Sequence, residues 1–168
     1  MTGRSIEPAS GHFYYLAVRK LMKSVLHLES VQMAKLRYEQ GAPVYAQLLM
    51  NGVSAQTFDA VAAIPTSDPT VQDPYKHAFK QRWTDAPDLS PYLSRSASST
   101  DEVPCEERLD GTTFRPPPAL PSTGRILLID DVLQSGVSAA SALRAIERVW
   151  TDVSLQFTLC CPLWIVHQ

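Results

Sequence analysis

The stretch "RILLIDDVLQSGVSAAS", residues 125–141, constrains the fold more than any other part of the chain. Ile126 to Ile129 form an apolar run without polar alternation, the pattern of a strand covered on both faces. Two acids end the run, a Ser-Gly turn follows, and Ala139, Leu143, Ile146 and Trp150 then recur at helical spacing over 139–150. Residues 153–165 read as a final strand or pair of strands. Strand, helix and strand in this short span make a βαβ unit, whose strands are parallel. The fold class is therefore α/β.

The remaining chain fits one domain spanning 1–168, a length sufficient for a proper core. From His12 to about Leu28, apolar residues at Leu16, Met22, Val25 and Leu26 suggest a helix. A second helix is read over Val31 to Tyr38, and a third after Gly41-Ala42-Pro43. "FDAVAAI", residues 58–64, reads as a buried strand ended by Pro65. "DPYKHAFKQRW" is basic and helical or mobile. Residues 86–124, rich in Pro, Ser and Thr, read as irregular and surface-lying.

A formal charge of −2 supplies no global field for nucleic acid, so DNA or RNA is not an expected partner. The polar start has no apolar core for a signal peptide, and "FTLCCPLWIV" is about half a bilayer span, so no membrane association is expected. Cys105, Cys160 and Cys161 form no C-x-x-C pair, which argues against structural zinc and fits a reducing cytoplasm.

In open α/β sheets, ligands bind beyond the carboxyl ends of the strands. Asp130 and Asp131 stand at such an end, and the following turn opens a helix whose first amides lack intrahelical partners. Those amides, with the helix dipole and the hydroxyls of Ser135 and Ser138, suit a phosphate. Gly136 lets the backbone approach a phosphate oxygen closely. Carboxylates repel phosphate, so the acids should face sugar hydroxyls instead. The plainer account of the same residues is a strand end followed by a Ser135 or Ser138 helix cap.

"ILLIDDVLQSGVS" resembles the ribose-phosphate signature of type I phosphoribosyltransferases. In order along the chain, "AKLRYEQGAPVYAQLL", "FDAVAAIPTS", "HAFKQRW" and "EERLDGTTF" are similar to segments of the ComF-like, competence-associated branch. Two departures stand out. The N-terminal four-cysteine zinc ribbon common in that branch is absent, and Gln134 occupies a position where many relatives carry Thr and some an acid. A glutamine amide cannot act as a base, so Gln134 is suited to donating an N–H to phosphate.

The resemblance implies a type I phosphoribosyltransferase-like parallel sheet flanked by helices, with a small N-terminal helical hood. It implies transfer of the phosphoribosyl group from phosphoribosyl pyrophosphate, with Mg²⁺, to a nitrogen acceptor the sequence does not disclose. Asp130 and Asp131 would hold the ribose hydroxyls, Asp131 also reaching Mg²⁺ through water. Gln134, Ser135, Gly136, Val137 and Ser138 would hold the 5′-phosphate. Thr66 and Ser67 would form the pyrophosphate loop, with Lys76, Lys80, Arg82 and Arg37 as cationic contacts. Thr66-Ser67 equally reads as an ordinary turn, and the three cations after it as a solvated helix face.

The expected partner is phosphoribosyl pyrophosphate or a nucleoside monophosphate; a homodimer is left open. The alternative is a sensing or interaction module that binds phosphoribosyl groups without catalysis. A link to DNA uptake comes from the competence association alone.

Overall fold

The computed structural model describes residues 2–6, 13–23, 46–47, 49–53, 55–66, 73–95, 109–130, 132–133 and 135–167; for 2–6, 13–23, 74, 132 and 162–167 it describes the backbone. Its strands are β1 (Thr2–Ile6), β2 (Phe13–Lys23), β3 (Ala60–Ala63), β4 (Leu93–Arg95), β5 (Thr112–Phe114), β6 (Gly124–Ile129), β7 (Val132–Leu133) and β8 (Leu155–His167). Residues 46–47 and 49–53 are helical (α1), followed along the chain by α2 (Asp73–Arg82) and α3 (Val137–Glu147). The main six-stranded sheet has the order β1-β2-β8-β6-β3, with β7 also on β8, and β4 and β5 form a separate antiparallel pair. β2, β8, β6 and β3 run parallel, while β1 lies antiparallel on β2.

Side-chain alternation along the central strands builds a core on each face of the sheet. Ala60 and Ala62 of β3, Ile126 and Leu128 of β6, and Phe157 and Leu159 of β8 join α3, Leu93 and Phe114 in one cluster. Val61, Ala63, Leu127, Ile129 and Cys160 point the other way and meet Leu49 and Val53 of α1 and Tyr75 and Phe79 of α2. "ILLI" is thus buried on both sides, as its lack of polar alternation predicts.

α3 needs its small residues for this packing. Ala139, Ala142 and Ala145 are buried with Leu143 and Ile146, letting the helix lie close on the sheet. Removing a side chain such as Ile146, fully buried here, would cost on the order of 2–5 kcal/mol.

Two sequence expectations change. The helix expected over 12–28 is instead β2, paired in parallel with β8 from Phe13↔Phe157 to Lys23↔His167. The sparse helical spacing was outweighed by "FYYLAV", whose aromatic and β-branched content favours a pleated surface. Of the expected helical hood, that member is a strand; the helix read over 31–38 lies outside the described residues, and the third is α1. Residues 86–124 are not wholly irregular, since a 3-10 turn at Ser90–Tyr92 and strands β4 and β5 lie within them. Leu89, Leu93 and Phe114 from this segment are buried in the core. Of the two forms expected over 153–165, the structure has the single long strand, with Pro162 in its interior.

Candidate functional site

β3 and β6 end side by side. Ala63 pairs with Ile129, and both chains keep the ladder for one residue more. Ile64 N–H donates to Ile129 O at 2.8 Å, and Asp130 N–H donates to Cys160 O at 3.0 Å. Asp130 therefore follows its apolar strand directly and is only 7% exposed. On the neighbouring strand, Pro65 and then half-buried Thr66 step off the same carboxyl edge. Two sequence-predicted site residues, Thr66 and Asp130, are thus brought to adjacent strand ends.

The ladder between the β6–β7 segment and β8 breaks at this level. Ile129 pairs with Cys160, and pairing resumes at Val132↔Leu163 with the same offset. The interruption therefore contains no inserted residue, unlike a bulge. Its cause is Pro162, which has no N–H for the next rung. The β2–β8 register also skips one pair, between Ala17↔Cys161 and Arg19↔Leu163.

After β7 the chain turns through Ser135 and Gly136 into α3. Gly136 is the N-cap, at φ 77° and ψ −1°, and no side chain caps this helix. Among the described residues Gly136 is the sole one with positive φ, in the region that disfavours side-chain-bearing residues. The first helical rung runs from Ala140 N–H to Gly136 O at 2.9 Å. The amides of Val137, Ser138 and Ala139 precede that rung and have no acceptor within the helix. Val137 N–H lies 3.4 Å from Ser135 Oγ, a long contact that contributes little. Ser135 is exposed and Ser138 half-buried, while Val137 is anchored in the protein with Leu133. The arrangement can offer backbone N–H groups and a helix dipole to an anion.

The predicted cations are distributed along α2, which runs back from the carboxyl edge. Lys76 lies near its start and makes a 3.3 Å ion pair with Asp73. Lys80 Nζ donates to Ala86 O at 2.5 Å, tying the end of the helix to the following turn. Arg82 lies 5.9 Å from the ring centre of Trp83. Trp83 in turn donates from Nε1 to Gln56 O at 3.2 Å and meets the Phe58 ring edge-on. Gln56 and Phe58 precede β3, so Arg82 belongs to the amino-terminal side of the sheet. Lys80 and Arg82 therefore lie at the end of α2 remote from the strand ends, and Lys76 lies nearer the start of the helix. Asp131, Gln134, Ser67 and Arg37 lie outside the described residues.

Sequence reasoning missed two features of this edge. One is Pro162, whose position inside an apolar strand run could have signalled the ladder break. The other is the pair Asp88 and Ser90, on the segment beside β3, concealed in the Pro/Ser-rich stretch. Cys160, next to the site's ladder, is buried and its thiol is pushed well above the usual range by that burial, so it is no nucleophile.

Among the described residues, no helix is long and apolar enough to cross a membrane. No protein-family model matches the chain, and no curated protein matches it. Among solved structures, the crystal structure of an adenine phosphoribosyltransferase aligns over 76% of this chain and 78% of its own length, at 14% sequence identity and a TM-score of 0.41.

Proposed function

We propose that the chain is a phosphoribosyltransferase that binds phosphoribosyl pyrophosphate at the carboxyl edge of β3 and β6. The observation that carries this reading is the pairing of a buried strand-end acid, Asp130, with the uncapped, left-handed entry to α3 at Gly136. One element suits hydroxyl donors and the other suits a phosphate, and a phosphorylated sugar presents both. The ordered motifs that resemble the ComF-like branch support the same reading.

In this proposal the amides of 137–139, with Gln134, Ser135 and Ser138, hold the 5′-phosphate. Asp130 and Asp131 accept hydrogen bonds from the ribose hydroxyls. Thr66 and Ser67 face the pyrophosphate, with Lys76 the first of the cations to reach it. A nitrogen lone pair attacks C1, the C1–O bond to pyrophosphate breaks, and configuration inverts. Positive charge that develops on the ribose ring lies near the carboxylates. Catalysis on these terms is positioning plus fixed electrostatics.

Mg²⁺ fits the donor set. Among the described residues there is no cluster of three or more His, Cys, Asp or Glu that could hold a metal alone. Mg²⁺ bound with a diphosphate does not require one, since it takes one or two carboxylates, substrate oxygens and waters. Asp130, and Asp131 through water, would hold it, where it would neutralise charge on the leaving pyrophosphate.

Binding without turnover is the second reading, favoured by one observation. Lys80 and Arg82 are engaged away from the strand ends, so among the described residues two of the cations expected on the pyrophosphate side are not placed there. Calorimetry with phosphoribosyl pyrophosphate and Mg²⁺, alongside phosphorus NMR of pyrophosphate release across ammonia and nucleobase acceptors, separates the two. Turnover that drops by about ten- to a hundredfold in Asp131→Asn, the loss of charged hydrogen bonds, is the expected result. Undiminished turnover in that variant sinks the catalytic assignment, and absence of any binding sinks both readings.

A further inference from the structure

We propose that Ser90 is a positioning residue for the pyrophosphate side of the site, a role that rests on the phosphoribosyl reading above. The outer edge of β3 is covered by the segment leading from α2. Pro87 O accepts from Val61 N–H at 3.0 Å, and Leu89 N–H donates to Val61 O at 2.7 Å. These are two rungs of a short parallel ladder. The next rung would run from Ala63 N–H to Leu89 O. That carbonyl is already taken by Tyr92 N–H at 3.0 Å, because the 3-10 turn Ser90–Tyr92 begins there.

A side chain fills the vacancy. Ala63 N–H donates to Ser90 Oγ at 2.8 Å. The Ser90 hydroxyl donates its own proton to Asp88 Oδ1 at 2.5 Å, and Ser90 N–H reaches the same oxygen at 2.9 Å. With its proton committed to a carboxylate, the hydroxyl presents lone pairs to the Ala63 amide, and a charge-assisted bond of this kind is strong. Ala63 is buried, so water does not readily replace the hydroxyl.

The consequence is local to the strand end. Edge pairing stops level with Ala63, and the last β3 amide is held from outside by Ser90 and Asp88. One residue later, Ile64 is held from inside by Ile129 O. The exit direction of Pro65 and Thr66 is fixed by these opposed anchors. Ser90 touches no ligand in this scheme; it sets where Thr66 begins.

The test compares the full-length wild type with Ser90→Ala, Ser90→Thr and Asp88→Asn. Calorimetry measures ribose 5-phosphate and phosphoribosyl pyrophosphate, each with Mg²⁺, and NMR follows hydrogen exchange at the Ala63 amide. Ser90→Ala should speed that exchange by about tenfold or more, since a buried donor loses its acceptor. It should weaken phosphoribosyl pyrophosphate by about tenfold while leaving ribose 5-phosphate unchanged, and Ser90→Thr should restore both readouts.

Equal weakening of the two ligands would mean general loosening and overturns the role, as does unchanged pyrophosphate-ligand affinity against a wild type that binds. A wild type that binds neither ligand overturns the phosphoribosyl reading itself and this role with it. If Ser90→Ala does not fold, Asp88→Asn decides, because it keeps an acceptor for the hydroxyl while removing the charge. It should weaken phosphoribosyl pyrophosphate selectively by about threefold, and an equal effect on both ligands again overturns the proposal.

Discussion

Replacing Gly136 by alanine isolates the backbone term at the entry to α3. A Cβ built on Gly136 would have Leu133 Cδ1 as its nearest neighbour, at 3.8 Å, which is ordinary van der Waals contact. Space is available, so the cost comes from φ at 77° alone. An L-residue in the left-handed region loses about 1–2 kcal/mol. The substitution recovers part of that by restricting the unfolded chain, about 0.4–1 kcal/mol. The net expectation is a destabilisation of about 1 kcal/mol.

Gly136→Asn should lose less, because a short polar side chain tolerates this conformation. Urea unfolding followed by tryptophan fluorescence reads both variants, and with a slope of about 2 kcal/mol per molar the midpoint of Gly136→Ala should fall by about 0.5 M. Ribose 5-phosphate affinity supplies a second readout. If the alanine variant relieves its strain by turning to negative φ, the amides of 137–139 turn with it, and binding should suffer more in Gly136→Ala than in Gly136→Asn. Equal stability of Gly136→Ala and wild type, or an asparagine variant weaker than the alanine one, would refute the claim that the left-handed geometry governs this turn.

Gly124→Ala tests the opposite situation, in which space rather than φ is limiting. A Cβ there would meet Leu155 Cδ2 at 2.7 Å and the backbone oxygen of Ser154 at 2.9 Å, forcing β6 from the start of β8. A loss of about 1–3 kcal/mol is expected, with a melting temperature lower by several degrees, and an unchanged melt would contradict it. Asp59 is pushed up by burial, but hydrogen bonds from Arg125 N–H, the Thr123 hydroxyl and the Arg125 guanidinium outweigh this and hold its carboxyl below the ordinary range. Its folded-state affinity for protons is thus lower than in the unfolded chain. The stability it contributes is present above the unfolded value near 4 and is lost as pH falls through the folded one. Asp59→Asn should therefore flatten the acid limb of a stability-against-pH curve, and an unaltered limb below about pH 4 would remove Asp59 from that account.

The parts of the fold legible in the sequence were those where one local signal dominates. "ILLIDD" declares a doubly buried strand ending in charge, and Asp130 stands where that pattern puts it. β2 was hidden because its side-chain spacing resembles a weak helix, while its pairing with β8 is set by partners far away in sequence. Burial of Leu89, Leu93 and Phe114 was hidden by the prolines and serines around them. The cations of α2 show a further limit. Charge composition marks Lys76, Lys80 and Arg82 alike, yet helix direction carries Lys80 and Arg82 away from the strand ends, and direction is not written in a charge count. Ser90 could not have been singled out at all, since its role depends on which carbonyl the turn at Ser90–Tyr92 consumes.

Prolines account for where the sheet opens. Pro65 follows the last inward rung of β3, and Pro162 breaks the β8 ladder beside Asp130. Neither can donate an N–H, so the hydrogen-bond ladder is interrupted just after β3 and beside Asp130. Turn chemistry would explain Pro65 alone, but a proline inside a long strand removes a rung and weakens the sheet. An acid kept 7% exposed at that same level is a second feature that apolar core packing does not call for. Gly136 in the left-handed region is a third, placed one short strand later. Each is tolerable singly. Their convergence on one carboxyl edge, with the opposite edge closed by conventional packing of Trp83, Phe58 and Gly124, is what a binding site requires of a stable sheet.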